Sequence, residues 1–418
     1  MTRPRIVFVA PPFAGHLYPL LELAMAAQAA GYRVEVITGA AKLPSVTASG
    51  LTASALPCLS GVSLERIVDT NRAVGGNPLR LLKQLRASLE VAVAARDQLL
   101  ALWRVAPPDL VVADSVAVSA GLAAQALGIG WITTIATPFT IENRRGVPCY
   151  MGGWTEGSGL GHRLRDAAGR ILTRMAKRGM ALAVSDLLSA LGSGVYREDG
   201  TEACYSPRSI LGFGLTELEF NRDWPLHFQM IGPVFANPEV ESPAPPLASG
   251  RPNVLVSLGT HLPWAKKTLA ADMAWFAAQR PDLHFVATLG HPERMDEAAI
   301  YLARNAVMVP FLSYRTHLGC FDAVIHHGGA GISYAAISLG RPAIVVPHDY
   351  DQFDYAARIV AKGAGLRVRR LRSPEMLAAL DGIMAPDTCP GLSALAAAAA
   401  GYDPHAAFLE VVDSMTGG

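Results

Sequence analysis

The sequence predicts an α/β protein built as two halves, each a parallel sheet covered by helices on both faces. Three observations carry that expectation. Short apolar runs of strand length alternate with stretches of helical period, as crossover connections between parallel strands require. A segment rich in Pro, Ala and Ser with no hydrophobic period, residues 236–253, interrupts the alternation, which restarts at Val254. The length, 418 residues, exceeds a usual single domain and suits two of about 200 residues each. The expected boundaries are 1–235 for the first domain, 236–253 for the linker and 254–418 for the second, with the last helix returning to pack on the first domain.

Taken in order, Ile6–Ala10 is an apolar strand, Pro11–Gly15 a turn, and Leu17–Ala30 a helix with apolar residues at helical spacing. Val34–Thr38, Leu110–Ala113 and Trp131–Ile135 read as further strands. Residues 140–194 depart from the alternation: a Gly-rich loop, Gly152–Gly159, leads into a long helical stretch. Within it Arg163, Arg165, Arg170, Arg174, Lys177 and Arg178 stand against Asp166, with Leu164, Ala168, Ile171, Leu172 and Met175 interleaved. That is a basic amphipathic helix, 163–178, which suits peripheral contact with a membrane surface; a solvated helix face gives the same pattern.

Composition excludes several classes. With 51% hydrophobic and 17% charged residues and a formal net charge of +1, there is no Lys/Arg excess to bind a phosphate backbone, so no nucleic-acid partner is expected. Cys58, Cys149, Cys204, Cys320 and Cys389 are scattered and form no CxxC, which speaks against a disulfide framework or structural zinc and for a reducing cytosol. The first residues run directly into a strand rather than a signal peptide, and no apolar run has the length of a spanning helix.

The chemistry concentrates between His326 and Gln352. A glycine-dense turn, His327-Gly328-Gly329-Ala330-Gly331, follows the strand-like Ala323-Val324-Ile325 and opens a helix. Its backbone N–H groups can approach an anion closely, and a helix N-terminus adds unpaired donors with partial positive charge. A second strand run, Ala343–Val346, ends in Pro347 and then Asp351-Gln352, an acid and an amide suited to sugar hydroxyls. Phosphate at one turn and polyol at the next read as a nucleotide-sugar site.

His327, Gly329, Gly340-Arg341-Pro342, Pro347 and Asp351-Gln352 stand in the register of H-x-G-x-x-S/T-x-x-E, G-x-P and P-x-x-x-D-Q. The chain thereby resembles the family 1, UDP-glycosyltransferase-like enzymes of bacterial natural-product and lipid type. The resemblance spans nearly the whole chain, including residues 211–235, and is least at about 140–200. It implies the GT-B fold: two Rossmann-like α/β domains with parallel sheets facing across a cleft, the first binding acceptor and the second the nucleotide sugar. One position departs, since Ala335 stands where the family has the acid that holds the ribose of UDP. The nucleotide is therefore open between UDP and dTDP, with a slight lean to dTDP, because a deoxyribose has no 2′-hydroxyl to lose.

Gly15-His16-Leu17-Tyr18-Pro19 matches the family's catalytic stretch. His16, at a strand's carboxyl edge, is the candidate general base for the acceptor hydroxyl. Asp114, ending the strand from Leu110, is the candidate partner that orients it, or a helix N-cap, or both. The resemblance places donor contacts at Gly259, Thr260, Phe311, Leu312, His327, Gly328, Gly329, Ala330, Gly331, Asp351 and Gln352, and acceptor contacts at Phe13, Phe139 and Trp154. Core packing is the alternative for Phe311. No cofactor or metal is implied: Asp349-Tyr350-Asp351 forms a DxD inside the D-Q motif, and His326, His327 and His348 lack ligand spacing. The expected activity is an inverting hexosyl transfer to an apolar small molecule or lipid. A catalytically silent auxiliary of the same fold is one alternative. An NAD-dependent oxidoreductase is another, although Pro11–His16 lacks G-x-G-x-x-G.

Overall fold

The computed structural model describes residues 3–59, 67–235, 242–385 and 387–417, so the linker stretch 236–241 lies outside the described residues. The strands are β1 (Arg5–Val9), β2 (Arg33–Thr38), β3 (Thr52–Ala55), β4 (Leu110–Asp114), β5 (Gly130–Ile135), β6 (Ile210–Phe213) and β7 (Phe228–Gly232), then β8 (Asn253–Ser257), β9 (His284–Thr288), β10 (Ile300–Ala303), β11 (Ala306–Val309), β12 (Ala323–His326), β13 (Ala343–Val345) and β14 (Gly365–Arg367). The longer helices are α1 (Ala14–Ala29), α2 (Pro78–Val105), α3 (Val118–Ala126), α4 (Leu160–Ala183), α5 (Leu269–Gln279), α6 (Ala330–Ser338), α7 (Gln352–Ala361), α8 (Pro374–Ile383), α9 (Leu392–Ala400) and α10 (Pro404–Thr416).

One sheet has the order β3-β2-β1-β4-β5-β6-β7 and the other β10-β11-β9-β8-β12-β13-β14. All neighbours pair in parallel except the β10–β11 hairpin at an edge. The central strands are apolar on both faces because helices cover both: Ile6, Val7 and Phe8, like Val254, Leu255 and Val256, are fully buried. Each sheet reverses its strand order once at its middle, between β1 and β4 and between β8 and β12. In open α/β sheets that reversal opens a crevice at the strands' carboxyl ends.

Helix α1 starts at Ala14, earlier than the expected Leu17, because the amides of His16 and Leu17 both bond back to the Phe13 carbonyl. His16 therefore sits in the helix's first turn. Pro19 follows near enough to the N-terminus that its missing N–H interrupts little of the ladder. Helix α10 leaves the second sheet and buries Phe408 and Val412 in the core beneath the first. Tyr32 donates to Asp413, and His405 pairs with Glu22 at 3.1 Å.

The halves touch through polar contacts as well. The Asp349 carboxylate accepts from the amides of Val74 at 2.6 Å and Gly75 at 2.8 Å. Tyr355 donates to the Ala136 carbonyl at 2.9 Å, and the buried Arg358 guanidinium bonds Glu219 at 2.9 Å. Among the described residues no helix is long and apolar enough to cross a membrane.

Candidate functional site

The site follows from the two reversals. β1 and β4 are parallel neighbours with Val9 opposite Ala113, so the residues just beyond them emerge side by side. His16 comes from the turn and helix after β1, and Asp114 is the last residue of β4. They meet: His16 Nδ1 lies 3.0 Å from Asp114 Oδ1 and 3.1 Å from Oδ2. Asp114 is almost wholly buried, while 30% of the His16 side chain is exposed, and the bond to Asp114 uses Nδ1 rather than Nε2. Asp114 Oδ1 also accepts from the Val116 amide at 2.8 Å, so orienting the imidazole and closing the turn before α3 coexist in one carboxylate.

Burial would lower the His16 pKa, but attraction to Asp114, their hydrogen bond and the charge of Asp351 outweigh it and raise it above 6.5. The coupling is mutual. Burial pushes Asp351 up to about 7, with Asp354 and Asp349 adding repulsion and His16 opposing. Asp351 precedes α7, and its side chain makes no capping bond with that helix. His16 of the first half and Asp351 of the second therefore sense each other's charge.

On the second sheet, β8 and β12 pair with Ser257 opposite His326, which brings Gly259-Thr260 beside the glycine turn. Gly259 has φ +73° and makes room for His327: a Cβ there would fall 2.6 Å from the imidazole. Gly328, at φ +91°, lets the turn approach the Gln352 carbonyl, which a Cβ would meet at 2.9 Å. Gly329 precedes α6 in extended conformation, so the amides of Ala330 and Gly331 open that helix as unpaired donors. His326 is buried, and its Nδ1 accepts from the Gly328 amide at 3.0 Å, which fixes its tautomer. Burial pushes His326 and His327 down to about 3, the neighbouring His326 and His348 adding to the fall at His327, so both are neutral near pH 7. Neutral donors and a helix N-terminus make a pocket for an anion.

Phe13 is nearly buried, its ring 6.3 Å from that of His16 and 5.3 Å from that of His261, so it lies where the halves meet. Phe311 is partly exposed beside the core, as a stacking aromatic would be. The Gln352 carbonyl oxygen accepts from the amides of His348 at 2.8 Å and Asp349 at 3.1 Å, leaving its NH₂ end for a ligand. Ala335 is fully buried with Ile332 and Ala336, so no carboxylate faces the ribose from that position.

Three expected contacts fall elsewhere. Phe139 is completely buried, its ring 4.1 Å under the Arg358 guanidinium and 4.8 Å from Tyr355, which makes it a core residue rather than an acceptor contact. Leu312 is buried among Leu255, Val307 and Leu318, so its side chain is core and not donor-facing. Trp154 has Arg165 over its ring at 4.8 Å and packs with Val147, Phe220 and Ala357, so its faces are already occupied.

Lys266 and His261 escaped the sequence reading. Lys266 Nζ donates to the carbonyls of Thr260 at 3.0 Å and Leu289 at 2.8 Å, and burial lowers its pKa to about 8. His261 pairs with Asp69 at 3.1 Å across the halves. No spacing marks them, because the loop depends on Leu262 at φ +68°. Among the described residues no three His, Cys, Asp or Glu side chains cluster as a metal site, and the Asp349 carboxylate is engaged by Val74 and Gly75.

Comparison with known proteins accords with this geometry. Residues 277–407 match the family described as erythromycin biosynthesis protein CIII-like, C-terminal domain. The chain is 26% identical to a 4'-demethylrebeccamycin synthase of Lentzea aerocolonigenes over 89% of each chain. It is 29% identical to an L-demethylnoviosyl transferase of Streptomyces niveus over 87% of this chain and 84% of that one. Among solved structures, the glycotransferase of kitacinnamycin aligns with a TM-score of 0.73 at 21% identity, over 99% of this chain and 100% of that one. The glycosyltransferase VinC, solved in complex with dTDP, aligns with a TM-score of 0.66 at 21% identity, over 99% and 100%.

Proposed function

We propose that this chain, a family 1 GT-B glycosyltransferase of the bacterial natural-product type, is an inverting, metal-independent enzyme that moves a hexose from a dTDP-linked donor to a hydroxyl of an apolar acceptor. The observation that carries this is the His16–Asp114 pair, whose imidazole bonds Asp114 through Nδ1 and lies near enough to Asp351 of the second half to feel its charge. His16 Nε2 takes the acceptor proton as the oxygen attacks the anomeric carbon and the bond to the diphosphate oxygen breaks. Asp114 stabilises the resulting imidazolium. The amides opening α6, with the neutral His327, receive the charge that develops on the leaving diphosphate. Attack and departure on opposite faces of the sugar, with no enzyme nucleophile, invert the anomeric centre. Asp351 and the Gln352 amide hold sugar hydroxyls, and Phe311 stacks on the base.

The missing acid at Ala335 and the dTDP complex of VinC support dTDP over UDP. The two relatives with natural-product names support an apolar acceptor, and five free cysteines suit a cytosolic enzyme. Calorimetric titration of dTDP and UDP tests the donor: dTDP should bind as tightly as UDP or tighter. UDP tighter by about tenfold, some 1.4 kcal/mol, would sink the dTDP assignment and leave the transferase reading standing.

A further inference from the structure

Helix α4 faces the wrong way for an ordinary surface helix. Leu160, Leu164, Ile171, Leu172, Met175 and Leu182 are 61–78% exposed. Leu160, Leu164, Ile171, Met175 and Leu182 recur four and seven positions apart, so they form one outward stripe. The cations turn inward instead. Arg170 donates to the Gly146 carbonyl, Arg174 to the Gly200 carbonyl at 2.8 Å, and Lys177 binds Glu202 at 2.6 Å and Glu142 at 3.1 Å. Arg165 bonds Asp166 at 2.7 Å. A contiguous exposed stripe along 24 residues, about 36 Å of helix, marks an interaction surface rather than scattered apolar residues.

The charge says what covers it. Asp166, Glu142 and Glu202 answer Arg165, Arg174 and Lys177, and Arg170 is held by the Gly146 carbonyl, which leaves Arg163 and Arg178 exposed with no acid paired to them among the described residues, Arg178 lying 5.6 Å over the Tyr196 ring. Asp166, the helix's one acid, is buried. A second copy of the chain would bring like charges together along the same stripe. A single convex helix with an apolar stripe and flanking guanidiniums fits a planar anionic surface. The stripe also begins directly after the loop that bridges the halves, where the Tyr150 amide donates to Asp354 at 2.9 Å and Arg367 reaches the Gly152 carbonyl at 3.5 Å.

We propose that α4 docks on an anionic lipid surface, its apolar stripe among the acyl chains and its uncompensated guanidiniums at the phosphates. This stands apart from the identity of the donor and from the role of His16. Vesicle flotation tests it, with phosphatidylcholine alone and with phosphatidylcholine plus phosphatidylglycerol. Two exposed cations worth about a factor of five each should make binding to the anionic vesicles about 25-fold tighter, and about 0.5 M salt should remove most of that difference. Ile171→Glu with Met175→Glu should abolish binding to both vesicles, and Arg163→Gln with Arg178→Gln should weaken only the anionic one. Both pairs alter exposed positions, so equal unfolding midpoints confirm that the fold is intact. Equal partition of the unmodified protein to both vesicles, or to neither, overturns the proposal. So does a dimer in sedimentation equilibrium that the Glu pair dissolves, since a second copy then covers the stripe.

Discussion

His16 is where the chemistry of single residues can be tested most directly. Replacing it by Ala should lower kcat by roughly 10²–10⁴ while nucleotide affinity stays within about threefold, because its ring borders the acceptor side only. The base must be neutral, and Asp114 with Asp351 raises its pKa above 6.5, so kcat/KM should climb as pH rises through a midpoint above that value. Asp351 is pushed to about 7, so the rising limb belongs to the coupled pair. Asp114→Asn removes the main raising influence, so the limb should move to lower pH while its plateau falls. A pH–rate profile of the variant that superimposes on the original would remove Asp114 from the mechanism. The meeting of His16 and Asp114 was legible in the sequence because His16 follows the first strand at a helix start and Asp114 ends a neighbouring strand, and both places are set by local pattern. Phe139 was not legible: its burial depends on Arg358, far along the chain, and an aromatic after a strand looks the same whether a ligand or a guanidinium covers it.

At the scale of elements, the turn between β13 and α7 also joins the two halves. Asp349 grips the amides of Val74 and Gly75 from the other half, and Tyr350, at φ +51°, donates to Gln84 at 3.0 Å. Hydrogen bonds to a charged acceptor contribute about 1.5–3 kcal/mol each. Asp349→Asn turns an NH₂ towards one donor amide and should lower kcat/KM at least about tenfold, with dTDP affinity within about threefold of the original. Neither EDTA nor added Mg²⁺ should change either value, because this DxD acid is already occupied by backbone. Restoration by Mg²⁺ would return it to metal binding. Most of the strand pattern was readable, since strands buried on both faces are continuous apolar runs and parallel order follows from alternation. The start of α1 was misjudged by three residues because Pro11–Gly15 looks like a turn, yet the amides of His16 and Leu17 bond back to Phe13. The outward stripe of α4 was read as an amphipathic helix without its orientation. Periodicity gives two faces, and only the partners of Arg170, Arg174 and Lys177 decide which of them is turned inward.

For the whole molecule, the consequence of α10 is that the first half does not complete its core alone. Phe408 and Val412 come from the chain's last helix and lie fully buried with Phe8, Leu17 and Leu21 beneath the first sheet, the Phe408 and Phe8 rings 5.9 Å apart. The buried Arg358, held by Glu219 between the rings of Phe139 and Phe220, joins the halves at another point. Two domains so tied should unfold as one, and a ligand bound to the second should stabilise the first. At a hundred times its dissociation constant a nucleotide adds about 2.7 kcal/mol, so dTDP should move the whole thermal transition as a single step. Phe408→Ala deletes a fully buried ring at a cost of about 3–5 kcal/mol, and the loss falls on the first half although the residue is distant from it in sequence. That variant should unfold in two steps, the lower one insensitive to dTDP and the upper one still shifted by it. Calorimetry follows both steps, and tryptophan fluorescence reports on both halves, through Trp103 and Trp131 buried in the first and through Trp264 and Trp275 in the second. A single transition that dTDP still shifts entire would mean that Arg358 and the Asp349 grip couple the halves without help from α10, and the communication between nucleotide and acceptor sides would then run through the cleft itself.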